Sequence, residues 1–317
     1  MQEVERSMLA IRTPSSFSRY PGKIEDLKKN KASDWENMLF HFFYPCVIEI
    51  LPAKYLDNFM LLSTCVFQLL DTHLLENMIE KIEHQLKRFV RSFQKLYGEE
   101  NMCFNVHLIT HLAECARNFG AIWNSSLYPY ENGNGMILGF RTGNNHPVVQ
   151  ICNKFFLNRI CHNNLIKSWH SQLWNTKPGY RLQFDEKFIY ELPNELFIDK
   201  DVLERIFSHH SKFSYDGISY CSRTNCENLG YDDSFVKIED FFQVEHVLVD
   251  KNNKIYIIGV KLSSKKIYEN MYKYVKTSQY CLKAVNKFIR PCVSVTILKD
   301  NVERSYISVC KPNTQIN

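Results

Sequence analysis

The chain has 317 residues, enough for two domains, or one large domain with an appendage, and for a core that needs no disulfide or metal staple. Hydrophobic residues make up 45% and charged residues 23%, which excludes disorder, collagen-like repeats and low-complexity scaffolds, and only 11 glycines argue against a Gly-rich phosphate-binding architecture. Lys+Arg exceed Asp+Glu by 39 − 34 = 5, and the excess is spread out (18 basic and 16 acidic side chains over 1–170, 21 and 18 over 171–317), so nucleic-acid contact is permitted but not demanded.

The acidic start Met1-Gln2-Glu3-Val4-Glu5 lacks the apolar stretch of a secretory signal. With 11 irregularly spaced cysteines, an odd number, the expectation is an intracellular, reducing compartment with thiols free or metal-bound. Residues 1–31 read as an irregular lead-in broken by Pro14, Pro21 and Gly22, and Lys28-Lys29-Asn30-Lys31 reads as a solvated loop. Ser33 then suits an N-cap, with Glu36 closing a capping box ahead of Trp35, Met38, Leu39, Phe42 and Phe43 at helical spacing. Pro45 is expected to kink that helix and Pro52 to end it. A second helix is predicted over 53–70, with Tyr55, Phe59, Leu62, Val66 and Leu69 on one face; its apolar stretch is too short to span a bilayer. A third is predicted over 74–97, apolar at Ile79, Ile82, Leu86, Phe89, Val90 and Phe93, charged and solvated on the other side, and stopped by Gly98. A fourth covers 104–119 and closes at Gly120, and another covers 147–169.

After about residue 175 the pattern changes. Pro178-Gly179 and Pro193-Asn194 mark connections, and short β-type runs dominate beyond Phe213. Segments 244–249 and 255–260 flank the turn Asp250-Lys251-Asn252-Asn253 as a hairpin, and 292–298 and 306–309 read as two more strands. The fold class is α+β: lead-in 1–31, helical region 32–170, connector 171–212 and a small β-rich domain 213–317.

Three groups of residues carry possible chemistry. His107 and His111 lie i, i+4 on one helix face, the spacing of two imidazoles on one zinc ion, though two half-buried, hydrogen-bonded histidines fit the spacing as well. No Glu stands beside His107, so this is not the zinc-protease motif, and Cys103 and Cys115 extend the same stripe without being able to wrap one ion from one straight helix. Glu131, after Tyr128-Pro129-Tyr130, opens a short helix whose first turn favours an acid. Cys221-x4-Cys226 has no second pair at zinc spacing nearby and reads as two free thiols on a turn.

The runs Ala32-Ser33-Asp34-Trp35-Glu36-Asn37-Met38-Leu39 and Ile50-Leu51-Pro52-Ala53-Lys54-Tyr55, with Phe104-Asn105-Val106-His107, His111-Leu112 and Tyr128-Pro129-Tyr130-Glu131, resemble the C-terminal part of CACTA (En/Spm)-type DDE transposases. The resemblance implies an RNase-H-like core with two catalytic Asp and a final Glu, matched by Glu131. It also implies a histidine pair, matched by His107 and His111, that joins an upstream C-x2-C pair on a structural zinc. The chain starts beyond the expected position of the two Asp and contains no C-x2-C. One Glu cannot hold the two Mg²⁺ or Mn²⁺ ions of strand cleavage and transfer, and two of four zinc ligands give weak binding. The expectation is therefore a truncated or domesticated, transposon-derived nuclear protein whose Glu131 is a vestigial third acid and whose RNase-H-like sheet is missing. DNA, a protein partner or a second copy are the expected partners and a membrane is not. The other reading is a non-catalytic DNA-binding or protein-interaction module. Helices once packed on a lost sheet should leave apolar surface at Phe59, Leu62, Val66, Leu69, Phe89, Val90 and Phe93 exposed.

Overall fold

The computed structural model describes residues 2–17, 21–173, 206–215, 218–227, 229–285, 289–299 and 302–310. Most of the expected connector 171–212, with Pro178-Gly179 and Pro193-Asn194, lies outside the described residues. The chain divides into two compact units, one of residues 1–122 and 181–315, the other of residues 123–180 with the last two residues of the chain.

The first unit opens with α1 (Gln2–Leu9), so the lead-in is not irregular throughout. Its continuation straps the later chain. The Arg12 guanidinium donates to the carbonyls of Cys226, Leu229 and Tyr231, and the Ser15 amide and hydroxyl both donate to the buried Asp233 carboxylate at 2.7 Å. Helix α2 (Ala32–Asn37) is capped at Lys31 rather than Ser33: the Asp34 carboxylate accepts the Lys31 amide at 2.8 Å, so the capping acid is Asp34 and not Glu36. The winding then widens into a π-turn, Met38–Phe42, before α3 (Phe43–Val47). Pro45 inside α3 has no N–H for the His41 carbonyl four residues back, and the irregularity falls on that turn.

Helices α4 (Ala53–Leu69) and α5 (Glu76–Tyr97) match their expected spans closely. Ile79, Ile82, Leu86 and Phe89 of α5 are buried at helical spacing, and Gly98 ends the helix at φ 90°, a conformation that suits a residue without Cβ. The expected single helix over 104–119 is instead α6 (Phe104–Leu108), a 3₁₀ turn Ile109–His111, and α7 (Leu112–Phe119). The Thr110 hydroxyl, donating to the His107 carbonyl at 2.7 Å, accompanies the tightened turn.

The C-terminal part is a six-stranded antiparallel β-barrel. After β1 (Phe207–His210), the hairpin of β2 (Lys212–Tyr215) and β3 (Ile218–Cys221), and the one-turn helix α10 (Arg223–Glu227) come β4 (Phe235–Lys237), β5 (Phe241–Asp250), β6 (Ile255–Lys266), β7 (Met271–Ala284), β8 (Arg290–Lys299) and β9 (Val302–Val309). Only β2 and β3 of the first three pair with each other; β1 pairs with β5. The ring runs β4–β5–β6–β7–β9–β8 and closes from β8 back to β4. One edge of β5 serves two partners, β4 at 241–243 and β1 at 247–250, and a bulge between Val244 and His246 bends the strand between them. At Gly259, opposite that bulge, a Cβ would lie 2.9 Å from the Gln243 carbonyl, so the strands approach too closely for any other residue. One buried side chain from each of the six strands fills the lumen: Phe235, Phe241, Leu262, Tyr274, Cys292 and Ile307.

The barrel's outer surface is covered on two sides. Val293, Val295, Tyr306 and Met271 pack against Met38, Phe42, Tyr44, Leu56 and Met60 of the helices. Val236, Phe242, Val247, Val249, Ile255 and Ile257 pack against Phe213 and Tyr220 of the β2–β3 hairpin. The helices thus do pack on a sheet, and the apolar faces expected to stand exposed do not. Leu69 and Phe89 are buried, and Phe59, Leu62, Val66, Val90 and Phe93 are half-buried. A further cluster joins Cys65 and Leu69 of α4 and Ile82 and Leu86 of α5 to Ala113 and Ala116 of α7.

The second unit holds α8 (Tyr128–Gly139) and α9 (Pro147–Leu173). The connection between them is organised by Gln150, whose amide oxygen accepts from the Thr142 amide, the Thr142 hydroxyl and the Gly143 amide at 2.9–3.1 Å. Among the described residues no helix is long and apolar enough to cross a membrane.

Candidate metal centre

The α6–α7 segment is anchored from beneath by Val106, Ala113 and Ala116, which are buried, and by Ile109 and Leu112, which are half-buried against α4 and α5. On the side of α7, Arg117 ties the segment to α5 through Glu76 at 2.7 Å and Glu83 at 3.0 Å. The hydrogen bonds from Lys87 and Arg117 hold the Glu83 carboxyl below its ordinary range, and those to Glu76 and Glu83 hold the Arg117 guanidinium above its own. The same spacing that turns 106, 109, 113 and 116 inward turns His107, His111 and Glu114 outward, and all three are exposed.

The two rings face each other across the 3₁₀ turn, with centroids 5.1 Å apart and planes at 75°. Their Nε2 atoms are 3.4 Å apart. Two imidazole nitrogens bound tetrahedrally to one zinc at about 2.05 Å lie about 3.3–3.4 Å apart. Glu114 Oε2 lies 3.3 Å from His111 Nδ1, where a carboxylate draws the ring proton to Nδ1 and leaves Nε2 with its lone pair outward. Two arrangements satisfy the gap between the Nε2 atoms. Either His107 donates its proton to His111, or both lone pairs face one cation.

Among the described residues no group of three or more His, Cys, Asp or Glu side chains is placed to hold a metal ion. Cys103, the N-cap of α6, is exposed and Cys115 is half-buried; neither joins the pair. The histidines are more open than the half-buried pair that spacing alone allowed. Glu131 lies in the first turn of α8, as expected, and is exposed in the other compact unit. It is not part of any such cluster, so the donors for Mg²⁺ or Mn²⁺ are not assembled among the described residues.

Cys221 and Cys226 depart from expectation. They are joined by a disulfide and are 2% and 1% exposed, beneath the carbonyl contacts of Arg12. Reasoning from sequence also missed Glu114, although an acid three residues after a histidine on one helix face is a readable sign of an oriented imidazole. Comparison with protein-family models, with curated proteins and with solved structures finds no match to the chain.

Proposed function

We propose that the chain is a transposon-derived, non-cleaving nucleic-acid-binding module that resembles the C-terminal part of a DDE transposase and keeps that ancestor's histidine pair as an open half-site for a transition metal. The observation that carries the metal reading is the 3.4 Å approach of His107 Nε2 and His111 Nε2, with Glu114 at the far nitrogen of His111. His107 and His111 would hold the ion, zinc by donor type, and the ion would supply local rigidity across the 3₁₀ turn rather than catalysis. On this reading Glu131 is a vestigial third acid, and among the described residues no further acids gather with it into a two-metal site. The helices would descend from the insertion and last catalytic helix of an RNase-H-like core. The compartment on this reading is the nucleus; the buried Cys221–Cys226 disulfide is the observation that weighs against a reducing one.

The test is one preparation assayed twice. Zinc titration against a chelating indicator should give weak binding that His107→Asn abolishes, and incubation of duplex DNA with Mg²⁺ or Mn²⁺ should give no nicks. Cleavage that Glu131→Gln removes would overturn the non-cleaving reading. Zinc bound tightly and unaffected by His107→Asn would overturn the half-site.

A further inference from the structure

We infer that the solvent face of α5 is a docking surface for the phosphodiester backbone of a duplex nucleic acid. This gives the nucleic-acid reading above a surface and rests on that reading, not on the histidine pair. Lys81, His84, Arg88, Arg91 and Lys95 follow one another at spacings of three, four, three and four residues, and all five are exposed. At 3.6 residues per turn they occupy roughly 80° of the helix circumference over a length of about 21 Å. That arc lies opposite the buried stripe of Ile79, Ile82, Leu86 and Phe89, so the core presents it to solvent.

The acids of α5 sit largely to one side of this row. Glu83 pairs with Lys87 and with Arg117, and Glu76 pairs with Arg117. Among the described residues none of Lys81, Arg88, Arg91 and Lys95 has an ion-pair partner; Glu80 stands at the rim of the row, and Glu99, exposed just past Gly98, accepts from the Gln94 amide at 3.1 Å. A shallow depression of about 530 Å³ opens along its first half, lined by Asn77, Glu80, Lys81, His84, Gln85 and Arg88, so amide donors stand beside the cations.

Four fixed charges repeating along about four helical turns match an extended polyanion better than an isolated anion. The aromatic residues of α5 point elsewhere. Phe89 is buried, Phe93 is half-buried, and Tyr97, exposed, lies against Phe93 with its ring tilted, on the core side of the helix. Without a stacking platform the face lacks what holds single-stranded bases, and contacts to duplex phosphates are left. A membrane surface fits less well, because the apolar side of α5 is consumed by the core and cannot insert.

The experiment uses the full chain and a labelled 30-base-pair duplex of mixed sequence, in DNA and RNA forms, with anionic vesicles as a separate arm. Four phosphate contacts give a log–log salt slope of roughly −3.6, a loss of affinity of about 100-fold between 50 and 200 mM salt. The variant Lys81→Gln/Arg88→Gln/Arg91→Gln/Lys95→Gln, which keeps helix-forming residues at exposed positions, should bind at 50 mM salt about 100-fold more weakly and with a slope near zero. Circular dichroism confirms that it is folded, and Lys265→Gln/Lys273→Gln on the barrel is the charge control. The DNA and RNA arms tell which duplex is preferred, and binding of either with the expected slope supports the inference. Duplex binding with the same slope in wild type and α5 variant overturns the surface and leaves the nucleic-acid reading standing. No duplex binding by the wild type overturns both, and variant-sensitive binding of vesicles alone assigns the face to lipid and overturns the inference.

Discussion

In the π-turn Met38–Phe42, His41 is buried at the seam between helices and barrel; in the 3₁₀ turn Ile109–His111, His111 stands in solvent. Both turns are departures from α-helical winding, yet they put an imidazole to opposite use. His41 is surrounded by Phe17, Phe40 and Phe42, with Nδ1 at 2.8 Å from the Ser308 hydroxyl, and burial pushes its pKa down to about 3. It is a neutral spacer that fixes the seam. His111 has a carboxylate at one nitrogen and a second imidazole at the other, and no apolar shell. Irregular winding alone does not mark a functional histidine. What the turn is packed against decides it.

The sharpest way to break this comparison is to open the seam. Phe42 is 2% exposed, between the helices and the barrel strands that carry Val293 and Tyr306. Phe42→Ala should cost about 3–5 kcal/mol in urea-induced unfolding, through lost burial and the cavity left behind. Zinc binding by the folded fraction should not change. A loss below about 1 kcal/mol would mean that helices and barrel do not share one core.

His41 itself sharpens it through pH. Its folded pKa lies below the unfolded value of 6.5, so the unfolded chain binds the proton more readily. The stabilisation is complete above pH 6.5 and is lost as pH falls toward 3. At about 1.4 kcal/mol per pH unit, this group alone removes about 2 kcal/mol between pH 6.5 and 5. Burial also lowers His246, to about 4, and His210, so the wild-type slope is steeper still. His41→Gln should flatten the slope by about one proton's worth, whatever it does to stability at pH 7. An unchanged slope would place water or an acid beside His41 in solution.

Much of the helical half was readable because its signals are local. The periodicity of Ile79, Ile82, Leu86 and Phe89, and the stop at Gly98, fixed α5 to within two residues. The hairpin of β5 and β6 was readable from its Asp250–Asn253 turn, where Asp250 Oδ1 accepts the amides of Asn252 and Lys254 at 2.8 Å. Barrel closure was not, because it depends on pairings such as Val236 with Pro291, more than fifty residues apart, and on a bulge at Glu245 that no periodicity announces. Nor was the cover on the barrel: the apolar faces of α4 are visible in sequence, but the sheet they meet is more than two hundred residues downstream. In the candidate site the histidine pair was visible from its spacing. The 3₁₀ turn, accompanied by the Thr110 hydroxyl donating to the His107 carbonyl, was not. The row of cations on α5 was lost among alternating charges until Arg117 was seen to draw Glu76 and Glu83 to one side.

The smallest expected effect tests the exposed turn. If Glu114 orders His111 by holding its Nδ1 proton, Glu114→Gln should weaken zinc binding by about tenfold or less, the low end for a group behind a metal ligand. The low end applies because the His111 and Glu114 side chains are 53% and 64% exposed, and solvent screens a pair at 3.3 Å. His107→Asn and His111→Asn remove a ligand outright and should each cost more. The order of the three variants carries the argument. No change in Glu114→Gln would leave the ring oriented by the helix alone. A loss as large as that of either histidine variant would make Glu114 a ligand in its own right, which needs its side chain to swing from Nδ1 to the Nε2 side of the pair. Nitrogen chemical shifts of His111 separate these outcomes independently of zinc: the wild type should carry its proton on Nδ1, and Glu114→Gln should shift the population toward Nε2.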